Sequence, residues 1–224
     1  MFLSRVEIPW NTARNPYDVH RALWCLFPGH EREARKSADQ HREGFLFRFE
    51  SHATGRPARV LLLSRWMPQP TSLLSLTGSR EFRPQPSEGQ RLAFILTANP
   101  VKTIVDAEAD KKPEKLQAHA LRVTQHPEKA LRPAKSRVPL IKEEEQKQWL
   151  ARKLAGSAEL ESADVLPHAP LYFRKKGGGA GKLGTCTFEG TLRVSSPERL
   201  AHLLENGIGP AKAFGCGLLL VRRL

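Results

Sequence analysis

The chain holds only three cysteines, Cys25, Cys186 and Cys216, and they stand far apart. With neither a CxxC pair nor a His/Cys cluster at zinc-ligand spacing, the expectation is reduced, buried thiols and no structural metal. Long hydrophobic runs are missing too. Val60-Leu61-Leu62-Leu63 and Leu218-Leu219-Leu220-Val221 are strand-sized, far short of the roughly 20 residues that cross a bilayer. The opening Met1-Phe2-Leu3-Ser4-Arg5-Val6-Glu7-Ile8 alternates like a strand. It lacks the basic segment, apolar core and small-residue cleavage site of a secretion signal, so a cytoplasmic location without a membrane partner is expected. Acidic residues are scarce: 23 Asp and Glu stand against 36 Lys and Arg, a formal charge of +13. Such a field attracts polyanions, and nucleic acid, an acidic membrane surface or an acidic protein would each satisfy it.

At 224 residues the chain is long enough for two compact halves. The first reads strand, helix, strand, strand: the alternating start, an amphipathic segment from Pro16 to Phe27, then Phe45 to Glu50 and Arg59 to Ser64. A short Leu73-Leu74-Leu76 stretch is the candidate second helix, and Leu92 to Leu96 supplies a strand that would complete a βαββαβ order. From Asp106 to Pro139 lysines, arginines and prolines outnumber large apolar residues, which predicts a solvated, basic connector. A helix at Glu143 to Leu154, strands near Leu171 to Arg174 and Thr187 to Val194, a helix from Pro197 to Glu205 and a strand from Gly217 to Val221 follow. Ser196 precedes Pro197 as a cap, and Gly207 closes that helix. The predicted class is α+β, with two tandem ferredoxin-like halves of antiparallel sheet: residues 1–105, a connector at 106–136, and residues 137–224.

Chemistry concentrates on the first helix. Asn15 is a natural N-cap, Pro16 takes the first helical position, and Asp18 complements the positive helix end. At about 100° per residue, Val19, Ala22, Leu23 and Leu26 form one face. Tyr17, His20 and Trp24 share another, which presents a phenol and an imidazole together near a helix N-terminus. RNA carries its own nucleophile, so a base to deprotonate the 2′-hydroxyl, an acid for the leaving 5′-oxygen and cations for the extra phosphate charge suffice for cleavage. Spacing alone favours a surface histidine and a packing tyrosine. The other histidines show no convincing partner.

Three further motifs need weighing. Gly177-Gly178-Gly179-Ala180-Gly181-Lys182 is no phosphate-binding P-loop, because Lys176 occupies the first glycine position and Leu183 the Ser/Thr position. It reads as a turn flanked by Arg174, Lys175, Lys176 and Lys182, closing over an RNA backbone or simply solvated. Glu43 to Phe49 brushes the RNA-recognition-motif signature, but Glu43 and Leu46 break it and the alternating Phe45, Phe47 and Phe49 point to a core. Gly207 to Gly217 joins a helix to a strand through four glycines and Lys212. That segment either lets amides approach phosphates or makes a tight connection.

Six ordered blocks resemble the CasE family of CRISPR-associated endoribonucleases. They are Phe2 to Val6, Pro16 to Trp24, Ala98 to Ile104, Arg137 to Glu143, Cys186 to Gly190 and Gly207 to Leu219. The resemblance implies two ferredoxin-like halves and a glycine-rich loop. It also implies cofactor-free, metal-independent cutting at the 3′ base of a CRISPR repeat stem-loop, with a 2′,3′-cyclic or terminal phosphate and a 5′-hydroxyl. It assigns proton transfer to His20, placement of reacting groups to Tyr17 and transition-state charge to Lys176. Arg174, Lys175, Lys182, Lys102, Arg137, Lys142 and Lys212, with Gly207, Gly209 and Gly215, become RNA contacts. The implied partners are the crRNA and other Cascade subunits, especially the backbone subunit beside the crRNA 3′ end, with no homo-oligomer required. A-form stems hide their bases, so recognition by shape and phosphates is expected. A non-catalytic RNA-binding module or an inactive ribonucleoprotein subunit of the same fold would share the charge and strand pattern without needing Tyr17 and His20 on one face.

Overall fold

The structure is a computed structural model that describes residues 1–30, 44–105, 135–174 and 179–224. It divides into two compact units, one formed by Met1–Pro100 with Lys142–Leu224 and the other by Val101–Ile141.

In the larger unit β1 (Phe2–Ile8) leads through a single turn, α1 (Trp10–Ala13), to α2 (Pro16–Trp24), then β2 (Phe45–Ser51), β3 (Ala58–Ser64) and β4 (Ser75–Glu81). These strands form an antiparallel sheet in the order β2-β3-β1-β4, the arrangement of a ferredoxin-like half. α2 covers one face. Val19, Leu23, Leu26 and Phe27 pack on Val6, Ile8, Phe45, Phe47, Val60 and Leu62, which confirms the core reading of the alternating phenylalanines. The expected second helix is absent. Three leucines within four residues are too few for an apolar helical face, and the chain instead turns at the buried Leu74 and enters β4.

After β5 (Arg91–Ala98) come the smaller unit's strands, β6 (Val101–Val105) and β7 (Lys135–Pro139), which pair with Val105 opposite Lys135. The expected connector at 106–136 lies almost wholly outside the described residues.

The rest of the larger unit is α3 (Glu143–Leu154), β8 (Ala158–Pro167), β9 (Leu171–Arg174), β10 (Ala180–Leu183), β11 (Cys186–Val194), α4 (Pro197–Asn206), a 3₁₀ turn (Lys212–Phe214) and β12 (Leu219–Arg223). The second large sheet runs β12-β5-β11-β8, again antiparallel. β5 is therefore the first strand of the second βαββαβ set, not the last strand of the first. Its alternation fixes which face is buried but is silent on which neighbours it pairs with. Leu92, Phe94 and Leu96 point to a core shared with Trp149, Leu150, Phe188, Leu200 and Leu204, with the Trp149 and Phe188 rings stacked at 6.2 Å. A smaller cluster of Leu46, Leu63 and Leu218 carries apolar contact from β2 and β3 to the segment entering β12.

α4 begins and ends as its sequence dictates: the Ser196 hydroxyl accepts from Arg199 N, Pro197 is the first helical residue, and Gly207 leaves at φ +74°. No helix among the described residues is long and apolar enough to cross a membrane. All three cysteines are free, but Cys25, at the solvent side of the α2 C-terminus, is exposed rather than buried as expected.

Candidate functional site

Asn15 organises the α2 N-terminus. Its Oδ1 accepts from Tyr17 N at 3.4 Å, and its Nδ2 donates to Asp18 Oδ2 at 2.7 Å. Asp18 in turn binds Arg21 at 2.7 Å, so this carboxylate is held between two neighbours. Tyr17 is 40% exposed. His20, half-buried one turn along, lies 5.1 Å from the Phe45 ring and edge-on to Trp24 at 6.2 Å. Those contacts restrict the imidazole, while the helix keeps the phenol and imidazole on adjacent turns of one face.

The same Asn15 clamps the β9–β10 hairpin. Nδ2 donates to Arg174 O at 3.2 Å, and Arg174 N donates to Oδ1 at 3.3 Å. Arg174 is thus pinned by its backbone to the cap of the helix that carries Tyr17 and His20. Alternation puts Tyr172 and Arg174 on one hairpin face and Phe173 on the other. Lys182, opposite Tyr172 in register, sits over that ring at 5.8 Å. Phe173 turns inward, stacked on Tyr17 at 6.4 Å and 9° and against Phe214 of the 3₁₀ turn at 4.5 Å. A cleft lined by Asn11, Arg14, Asn15, Asp18, Tyr172 and Arg174, among others, opens at this junction. Lys175 and Lys176 lie outside the described residues.

The glycine-rich connection from α4 to β12 is a packed turn. Gly207 N donates to Leu203 O, Gly215 N to Lys212 O and Gly217 N to Thr97 O. A Cβ at Gly207 would meet Gly217 O and Leu46, one at Gly209 the Trp149 ring, and one at Gly215 the rings of Phe47 and Phe49. Absence of side chains is what lets this loop close on the protein. The amides of Gly207 and Gly215 are engaged internally, whatever the loop touches outside. Lys212 Nζ donates to Asn206 O at 2.7 Å, fixing the end of α4.

Of the other candidate cations, Lys142 is exposed immediately before α3. Lys102 and Arg137 belong to the smaller unit, where Lys102 pairs with Val138 and Arg137 with Thr103. Cross-strand partners share a face and neighbours alternate, so these two cations point to opposite sides of their ribbon. Sequence reasoning missed Asn15 as a clamp, Phe173 and Phe214 as a stack, and Arg48. Burial pushes the Arg48 guanidinium below its usual value against the pull of Glu189 and Glu50, and its Nε is buried without a hydrogen bond. Structural partners also exist for histidines the sequence left unassigned: His52 Nε2 lies 3.1 Å from Ala13 O, and His168 Nε2 lies 3.1 Å from Thr187 Oγ1.

The family model described as "CRISPR associated protein" matches residues 1–223. The chain is 37% identical over 219 residues to the CRISPR system Cascade subunit CasE of Escherichia coli strain K12, covering 98% of each. Among solved structures it is similar to the CRISPR-associated protein Cas6e from Escherichia coli K-12, with a TM-score of 0.77, 35% identity and all of both chains covered. It is also similar to the CRISPR endoribonuclease Cse3 bound to a 19-nucleotide RNA, with a TM-score of 0.71 and 28% identity across 99% of this chain and all of that one.

Proposed function

The chain belongs to the CRISPR-associated protein family, and from that premise we propose that it is an endoribonuclease that binds the stem-loop of CRISPR repeat RNA and cuts at the 3′ base of the stem. The observation that carries the reading is the meeting at one helix end of Tyr17, His20 and a hairpin whose Arg174 backbone Asn15 holds. The relatives with which the chain shares its length are a Cascade subunit and an RNA-bound endoribonuclease.

In this mechanism the ribose 2′-oxygen loses its proton to a base, attacks the adjacent phosphorus in line and displaces the 5′-oxygen, which takes a proton. The products are a 2′,3′-cyclic phosphate and a 5′-hydroxyl, and no metal ion enters. His20 carries a proton transfer. Tyr17 places the reacting groups. Lys176, two positions along the sequence from Arg174, offsets the charge gathering on the phosphate in the transition state. Arg174, Lys175 and Lys182 hold the strand, with Lys102, Arg137, Lys142, Lys212 and the Gly207–Gly215 loop as further RNA contacts. The matured crRNA stays bound, and the protein enters Cascade with it beside the backbone subunit at the 3′ end.

Incubating a labelled repeat hairpin with the protein in EDTA tests this. A single cut is expected, lost in His20→Ala with RNA binding retained, and blocked by a deoxyribose at the nucleotide before the cut. Intact RNA with the native chain would instead identify a non-catalytic RNA-binding module.

A further inference from the structure

We infer that Phe173 is a positioning residue for cleavage, holding the Tyr17 phenol in one orientation by a ring stack that also joins the β9–β10 hairpin to the glycine-rich loop. The inference rests on the proposed role of Tyr17.

Tyr17 is 40% exposed on the first turn of α2, and its ring lies nearly parallel to Phe173, 9° apart at 6.4 Å. A surface tyrosine without such a neighbour samples several χ1 rotamers, whereas a stacked ring keeps one. Phe173 is itself fixed on its other sides. Phe214 lies 4.5 Å away, and Gly181, directly opposite in the β9–β10 register, leaves its place open for the ring. A Cβ at Gly181 would run into the Phe173 Cζ and Cε atoms, so the missing side chain is the seat of this ring. Among the described residues the hairpin shares no backbone ladder with either large sheet, and a lone two-stranded ribbon is only marginally stable. The described contacts that tie it to α2 include the Asn15 clamp on Arg174 and this stack.

Reacting atoms misplaced by about 1 Å cost roughly a hundredfold in rate. Phe173→Leu, which removes the flat ring, is expected to slow single-turnover cleavage of the repeat hairpin roughly ten- to a hundredfold, with RNA affinity and melting temperature nearly unchanged. Phe173→Tyr keeps the stack and should restore the rate. Gly181→Ala, which unseats an intact Phe173, should reproduce the slow phenotype. The deciding comparison is a double-mutant cycle: in a Tyr17→Phe background, which retains the ring but not the hydroxyl, Phe173→Leu should cost no further rate. If Phe173→Leu cleaves at the native rate, or slows the Tyr17→Phe enzyme as much as the native one, the inference is wrong even though His20→Ala is inactive. If His20→Ala and Tyr17→Phe both cleave normally, the underlying catalytic reading fails first.

Discussion

Two of the three thiols differ from the third by what surrounds them. Cys186 and Cys216 are 2% and 1% exposed, and burial pushes both up to about 12, so near pH 8 both stay protonated and poorly nucleophilic. Cys25 is exposed. Native protein treated with iodoacetamide at pH 8 is expected to carry one adduct, on Cys25, and three after denaturation. Rapid native labelling of Cys216 would contradict the packing of the loop it belongs to. Gly190 in β11 is a second residue with a single reason to be there. A Cβ would strike the Ser162 carbonyl oxygen of β8, beside the bulge at Thr191 and Leu192, where backbone cannot yield as a side-chain tip does. Gly190→Ala should therefore lower stability by about 1–3 kcal/mol in a denaturant melt. Cys25 shows the limit of reading single residues. Its type argued for burial, but its place at the solvent side of the α2 end decided otherwise.

Elements whose signals are local were legible in the sequence. α2 and α4 each announce themselves by a capping side chain, a proline and an apolar stripe, and α3 lies where a helix around Glu143 to Leu154 was expected. Long-range pairing was not legible. β8 alternates over Ala158 to Glu161 and again over Ser162 to Val165, but the phase slips at the bulge between Leu160 and Ser162 and breaks the pattern into two short pieces, and β5 gave a clear pattern with no hint of its partners. In the candidate site, helical spacing put Tyr17 and His20 on one face, while their part in the chemistry came from the family resemblance. The Asn15 clamp joins residues 159 positions apart and could come only from the fold. A pair of capping substitutions separates the two roles of Asn15. Ser196→Ala removes only a cap from α4, at a cost of about 1 kcal/mol. Asn15→Ala removes a comparable cap and also frees Arg174. Similar falls in melting temperature are expected, with cleavage slowed only in Asn15→Ala. Equal cleavage in both variants would mean that the clamp is structural alone.

At the scale of the whole molecule the question is where the positive charge resides. Residues 106–134 look basic because their lysines are conspicuous, yet they hold six Lys and Arg against five Asp and Glu, a net charge of +1. The remaining chain holds 30 against 18 and carries +12, so the polyanion-attracting field belongs to the rest of the sequence and hardly to this segment. The register of β6 and β7 makes this testable. Val105 and Lys135 are direct partners, so a two-residue Asn-Gly turn can replace residues 106–134 without altering the strands. Affinity for the repeat hairpin should fall steeply with salt in the native chain, because phosphate contacts release counterions, and each contact contributes roughly 0.7 to 0.9 to the slope of log K against log salt. In the shortened chain that slope should change by less than about one contact, and cleavage in EDTA should persist. A slope reduced by several contacts would place phosphate-binding lysines inside the removed segment and move part of the RNA interface out of the cleft at α2.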